Sequence, residues 1–284
     1  GEVFFSGNDA WYHYRATTYI VESWPSTMRF DPWTGFPYGT FAGQFGTLYD
    51  QIVATVALLL GLGSPSPELV AKTLLVAPAA TAGALAAIPV YVIGKRLSGR
   101  LAGLFGATVL LLLPGSFLSR TLVGVADHNA IEPLVMVLAV AGFVIAFQKA
   151  ERTMPVWEVV REEIVESRKL ETLEDPLKWS LLAGFLTGIY LWVWPPGVVL
   201  VGIVGVFALV KITSDVVNDQ TPEPTAFVVA TAMTVVTVMT LLDLAVLSFS
   251  TNDPSLLQPV AALSIVVAIV FFSWLARIME QTDL

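Results

Sequence analysis

Two segments of this chain gather side chains able to hold a cation or an anion. The first is Gly7-Asn8-Asp9-Ala10-Trp11-Tyr12-His13-Tyr14-Arg15, and the second runs from Ser119 and Arg120 to Asp127-His128-Asn129. Two carboxylates, Asp9 and Asp127, joined by the amide oxygen of Asn129 or the imidazole of His128, make a hard, oxygen-rich donor set. Such a set favours Mg2+ or Mn2+ over softer metals, and a cation held there acts as a Lewis acid on phosphate oxygens. Arg15 and Arg120 carry guanidinium forks suited either to a diphosphate or to a neighbouring acid. His13, between aromatics, reads as a packing and hydrogen-bonding residue. Glu22, Asp31 and Asp50 read as solvated or turn residues, and Glu132 as an acid favoured by a helix N-terminus. There is no cysteine, which excludes thiolate ligands, cysteine nucleophiles and disulfides.

The elements that must position these residues belong to a membrane protein. Of the 284 residues 55% are hydrophobic and 13% charged, with a mean hydropathy of +0.73. A water-exposed surface needs about 25% charged residues. The net charge of -8 argues against a nucleic-acid partner, whose phosphates require clustered Lys and Arg. Seven stretches approach the ~20 apolar residues that cross a bilayer: about 70–94, 101–119, 130–148, 179–194, 196–212, 225–248 and 256–277. Pro195-Pro196 divides two of them, with Trp192 and Trp194 at the level that Trp favours. Pro78, Pro89 and Pro114 read as kinks. The run Gln51–Gly63 is too short to span and reads as an interfacial helix. Gly1 opens the chain without the parts of a signal peptide, and the last apolar run ends close to Leu284, so the chain reads as a piece of a longer protein.

The expected fold is therefore all-α: a polytopic transmembrane helical bundle of about seven spans. Residues 1–68 form a first external loop with its interfacial helix, and 69–284 the transmembrane domain. Of the 15 Lys and Arg, only Arg15, Arg29, Lys72 and Arg120 then fall on the outer side, the orientation that the positive-inside rule demands. Two spans separate Asp9 from Asp127, so both surface on one face and are free to share an ion. Counting Gln51–Gly63 as a span would place them on opposite faces. In the inner loop, 149–178, Trp157, Val160, Ile164 and Val165 alternate with charges at helical spacing, marking an amphipathic helix on the membrane surface.

Asp9-x-x-Tyr12-x-Tyr14-Arg15 resembles the opening external motif of oligosaccharyltransferase catalytic subunits, the archaeal AglB type in particular. Phe36-Pro37-Tyr38-Gly39, Gly94-Lys95-Arg96-Leu97, Pro114-Gly115, Ser119-Arg120 and Asp127-His128-Asn129 follow in that family's order, and Trp194 before Pro-Pro-Gly resembles its later Trp-x-Gly element. The resemblance covers most of residues 7–200. It implies a GT-C type glycosyltransferase membrane domain in the cell membrane, with its active site on the external face. The implied reaction moves a preassembled glycan from a polyprenyl (dolichyl) phosphate carrier to Asn in Asn-x-Ser/Thr of an acceptor polypeptide. Asp9 and Asp127 would be catalytic and, with Asn129, ligate Mn2+ or Mg2+; His128 and Trp194 would lie near the lipid-linked diphosphate. Asn129 stands where the family usually has an acid or a histidine, and the Trp-Trp-Asp acceptor motif is absent from this chain. Two rival classes are another polyprenyl-phosphate-sugar transferase, against which the Asp-His-Asn loop speaks, and a transporter, suggested by Asp243 inside an apolar run.

Overall fold

The computed structural model describes residues 5–41, 46–76, 79–150, 155–169 and 171–281, most of which are helical. Its one described sheet is a two-stranded antiparallel ribbon, β1 (Phe30–Asp31) with β2 (Thr40–Phe41). The chain divides into two compact units, Gly1–Val137 with Trp192–Pro195, and Leu138–Leu191 with Pro196–Leu284.

The first unit opens with α1 (Asp9–Ser23), whose buried face of Ala10, His13, Ala16, Thr17 and Ile20 follows the helical repeat. It packs on α2 (Leu48–Leu60) and α3 (Pro67–Val76). α2 buries Tyr49, Asp50, Val53, Ala54 and Ala57, and the small side chains let the helices close on one another. The 13-residue length of α2 matches a segment too short to span, displaced by three residues from the expected Gln51 start.

Helices α4 (Ala79–Leu85) and α5 (Ala87–Ser98) are separated by Ala86, which keeps right-handed helical angles. Pro89 explains the break, because it has no N–H to give the carbonyl of Leu85. α6 (Arg100–Leu112) returns antiparallel beside α5. A Cβ on Gly103 would lie 2.6 Å from the Tyr91 carbonyl oxygen, and one on Gly94 2.8 Å from the Cα of Gly103, so glycine sets this close approach. α6 stops at Leu112 because Leu113, preceding Pro114, is extended. The short α7 (Ser116–Arg120) follows.

In the second unit lie most of α8 (Ile131–Ala150), α9 (Val156–Val160), most of α10 (Glu174–Val193), α11 (Val198–Val217), α12 (Glu223–Leu242) and α13 (Leu257–Gln281). Glycine again allows backbone contact: a Cβ on Gly184 would meet the Ala232 carbonyl oxygen at 2.4 Å. Such small-residue contacts are how helices associate where lipid removes the hydrophobic drive.

Four described helices are long and apolar enough to cross a membrane: His128–Ala150, Pro195–Val217, Glu223–Leu242 and Leu257–Met279. They coincide with four of the seven expected spans. The stretch at 70–94 is cut into pieces by proline, as is 101–119; Pro78 lies outside the described residues. The stretch at 179–194 is realised in the 20-residue α10, diluted by Lys178, Ser180, Thr187 and Tyr190. Pro195-Pro196 begins a single 3-10 turn between α10 and α11.

The amphipathic segment of the 149–178 loop presents a different face from the one expected. Val156 and Val159 are buried with Leu173 against Phe227, whereas Ile164 and Val165 are exposed. The reason is Glu163, which turns inward to accept the backbone N–H groups of Glu171, Thr172 and Leu173 at 3.1, 2.6 and 3.1 Å.

Asp243 is not inside a helical run but caps the end of α12. Burial alone pushes its carboxyl up to about 6. The folded chain thus keeps a proton that the unfolded chain releases near the ordinary value of about 3.9, and stability falls as pH rises between the two values. Asp243→Asn should raise Tm at about pH 8 and leave it nearly unchanged at about pH 4, where the native acid is already neutral. Equal shifts in melts at both pH values would contradict this.

Candidate metal centre

The second motif is held by its own backbone. Asp127 caps the 3-10 turn His128–Ala130, accepting the Asn129 N–H at 3.4 Å, and the Asn129 side-chain amide donates to Asp127 Oδ2. This fixes Asp127 with Oδ1 turned toward two imidazoles. His128 Nδ1 lies 2.7 Å from Oδ1, and Nε2 of His13, on α1, lies 3.4 Å from it. The two rings also meet each other, His13 Nε2 to His128 Nδ1, at 3.2 Å. All three residues are buried, and their donor atoms fall within 4.8 Å of one another. Below them, Asp50 at the start of α2 accepts from His13 Nδ1 at 2.8 Å.

The electrostatics follow from this packing. Burial works against a charge on His13, but Asp50 first, then Asp127, outweigh it and lift the imidazole to about 9. Burial likewise favours a neutral Asp127, yet the hydrogen bonds from His128, His13 and Asn129 hold its carboxyl well below the usual carboxylate range. The guanidinium of Arg120 stands at the edge of the cluster, 3.9 Å from Asp127 Oδ2.

A cavity of about 500 Å3 opens beside the cluster, lined among others by Asp9, Tyr12, His13, Arg15, Gly35 and His128. Asp9, the first residue of α1, is exposed at this cavity and does not belong to the group of donors at ligand distance. Arg15 also lines it, while its Nη2 donates to Asp31 at 2.6 Å and to Thr34 at 3.4 Å. Arg15 therefore pairs with a local acid and faces the cavity as well. Trp194, half-buried at the end of α10, is not among the residues lining this cavity.

Three residues are more central than their sequence context suggested. Asp31 is fully buried: burial opposes its charge, but Arg15, Thr34 and the Trp33 N–H hold its carboxyl low. Asp31→Ala would leave Arg15 without its acid, and losing one partner of a buried pair costs about 3–5 kcal/mol. Because Arg15 is itself partly exposed, the expected loss is nearer ~2 kcal/mol, measured as a lower Tm. Asp50 and His13 are likewise inside. The signal was present in both cases, since each lies on the apolar stripe of its helix: Asp50 with Val53, Ala54 and Ala57, His13 with Ala10, Thr17 and Ile20. A polar residue on such a stripe requires a buried partner.

Residues 1–283 match the family model described as oligosaccharyl transferase STT3, N-terminal. The chain belongs to this family. Among STT3 relatives, it is 56% identical over 283 residues to the dolichyl-monophosphooligosaccharide–protein glycotransferase AglB of Haloferax volcanii, covering 100% of this chain and 26% of that protein. It is 26% identical over 201 residues to a dolichyl-phosphooligosaccharide-protein glycotransferase of Archaeoglobus fulgidus, covering 71% of this chain and 21% of that one. The fold matches the Archaeoglobus fulgidus oligosaccharyltransferase AglB solved with an inhibitory peptide and a dolichol-phosphate. The TM-score is 0.84 at 24% identity, over 99% of this chain and 31% of that one. An oligosaccharyltransferase of the same organism solved with Zn and sulfate matches at TM-score 0.81 and 24% identity, over 99% of this chain and 33% of that one. The chain spans about a quarter of the length of the Haloferax relative.

Proposed function

We propose that this chain is the membrane part of an oligosaccharyltransferase that moves a glycan en bloc from a polyprenyl (dolichyl) phosphate carrier to Asn in Asn-x-Ser/Thr acceptors. The observation that carries the reading is the buried Asp127–His128–His13 cluster, set beside a cavity that Asp9 and Arg15 also line. Family membership and the names of its relatives point the same way.

The cluster suits a divalent cation. Ligands about 2.1 Å from one ion stand roughly 3.0–3.4 Å apart around it, and the measured donor separations of 3.2 and 3.4 Å fall in that range, with the third at 2.7 Å. Asp127 and the imidazoles beside it would hold Mn2+ or Mg2+, with the carbonyl oxygen of Asn129 and the carboxylate of Asp9, which lines the adjoining cavity, as the further oxygens the ion would take up. When bound, the ion supplies Lewis-acid stabilisation to the departing phosphate oxygens.

The chain's own residues do the rest. Asp9, exposed at the cavity, accepts hydrogen bonds from the acceptor's NH2 and favours a twisted amide, freeing a nitrogen lone pair otherwise delocalised into the carbonyl. Arg15 and Arg120 supply guanidinium forks, and His128 a polar edge, for the diphosphate. Trp194 meets the carrier lipid.

The site faces the exterior of the cell membrane in this reading, on a bundle with seven crossings. α4 and α5 joined through Ala86 make one of them and α10 another, each about 30 Å long by its rise per residue. The α5–α6 hairpin then returns the chain to its starting side between Asp9 and Asp127.

The test uses the full-length protein, a lipid-linked glycan and an Asn-x-Thr peptide. Transfer should vanish in excess chelator and return with Mn2+ or Mg2+, and Asp9→Ala should abolish it. Full transfer in chelator would remove the metal from the reading, and transfer by Asp9→Ala at the normal rate would remove Asp9.

A further inference from the structure

We infer that Asp50 is a positioning residue that keeps the Nδ1 hydrogen of His13 in place, so that Nε2, which faces Asp127 and His128, is the nitrogen that exchanges its hydrogen for the cation and becomes a ligand. The inference rests on the divalent-cation reading above, and gives His13 and its partner Asp50 their separate roles in it.

The geometry is that of a carboxylate–histidine–metal arrangement. Asp50 Oδ1 lies 2.8 Å from His13 Nδ1. A carboxylate only accepts, so that nitrogen carries a hydrogen, and the proton that a bound cation displaces is the one on Nε2. Nε2 points at the donor cluster, 3.2 Å from His128 Nδ1 and 3.4 Å from Asp127 Oδ1. Both side chains are almost fully buried, His13 at 1% and Asp50 at 2% exposure. Tyr49 packs against the ring in a T-shaped contact, with centroids 4.7 Å apart, and helps to hold it in place. A buried acid near a helix N-terminus is also favoured by the helix dipole, but that effect does not require a partner 37 residues away in sequence.

Ligand chemistry gives the consequence. Asn129 brings no charge to the site, and an imidazole nitrogen from His13 adds a donor that suits transition ions better than Mg2+. His13 therefore biases the site toward Mn2+, and Asp50 acts only through His13.

The experiment measures Mn2+ and Mg2+ affinity directly on purified full-length protein, Mn2+ by electron paramagnetic resonance and Mg2+ by competition. Outer carboxylate partners of ligating histidines typically change metal affinity 10–100-fold. Asp50→Leu, which fills the space without an acceptor, should weaken Mn2+ by about that factor and Mg2+ much less. Asp50→Asn retains an acceptor oxygen and should restore most of the loss. His13→Phe should weaken Mn2+ similarly, and Asp50→Leu should add nothing in the His13→Phe background. Equal loss for both ions, additive losses, or an unchanged Mn2+ affinity in folded Asp50→Leu would overturn the inference while leaving the cation site standing. Wild-type protein that binds neither ion would overturn both readings together.

Discussion

Asp127→Ala should lower glycan transfer by about 10^3-fold or more while the protein still inserts and folds. Lewis-acid stabilisation of a phosphoryl oxygen is worth several kcal/mol, and each ~1.4 kcal/mol is tenfold in rate. The substitution removes the oxygen that both imidazoles address and the acceptor for Asn129. It therefore disperses the donor set instead of trimming one ligand from it. His13 keeps its bond to Asp50, so α1 and α2 remain joined. The measurement is transfer of labelled glycan to an Asn-x-Thr peptide, with membrane-inserted protein quantified in parallel. Transfer above about a tenth of normal, less than the ~1.4 kcal/mol a ligand of this kind contributes at minimum, would exclude Asp127 from the chemistry.

Gly46→Ala should be the most damaging single methyl group in the first unit. Gly46 has φ +73°, and a Cβ there would stand 2.4 Å from the carbonyl oxygens of both Trp192 and Val193. Neither oxygen can rotate away, because both belong to the backbone that closes α10. The left-handed conformation costs about 1–2 kcal/mol for an L-residue, and the overlap adds about 1–3 kcal/mol. A loss of roughly 2–5 kcal/mol is expected, read as a lower Tm and earlier proteolysis of the first loop. Trp194 lies two residues beyond Trp192, so affinity for a lipid-linked substrate should fall in the same variant. A change in stability below about 0.5 kcal/mol, typical of an open surface position, would mean that this approach is not made.

The Asp127-His128-Asn129 donor set was legible because its members are adjacent in sequence, whereas the capped 3-10 turn that orients them came only with the fold. The four uninterrupted apolar runs were legible for a similar reason, since their length alone fits the hydrocarbon thickness. The proline-containing runs read as kinked but continuous, because hydropathy does not weigh a missing N–H as a break. Pro89 breaks the run after Leu85 and Pro114 ends α6 although every neighbour is apolar. The packing and hydrogen-bonding character of His13 was legible, but its partners were not, and Asp50 reads as solvated from its flanking residues because the bond between them joins helices paired across 37 positions. The face of the inner loop was misassigned by one buried acid. Periodicity treats Glu163 as polar and therefore outward, but three backbone N–H groups make the interior the better place for its carboxylate.

The short α6 bears on the lipid that the proposed bundle would sit in. Its 13 residues rise only about 20 Å, some 10 Å less than the hydrocarbon of an average bilayer, yet Leu101, Phe105 and Leu112 are left bare on its surface. If α6 is one of the crossings of the proposed bundle, acyl chains bordering it compress to match it. The dimple would bring the headgroup plane toward Ser116–Arg120, shortening the climb of the proposed carrier's phosphate to the guanidinium of Arg120.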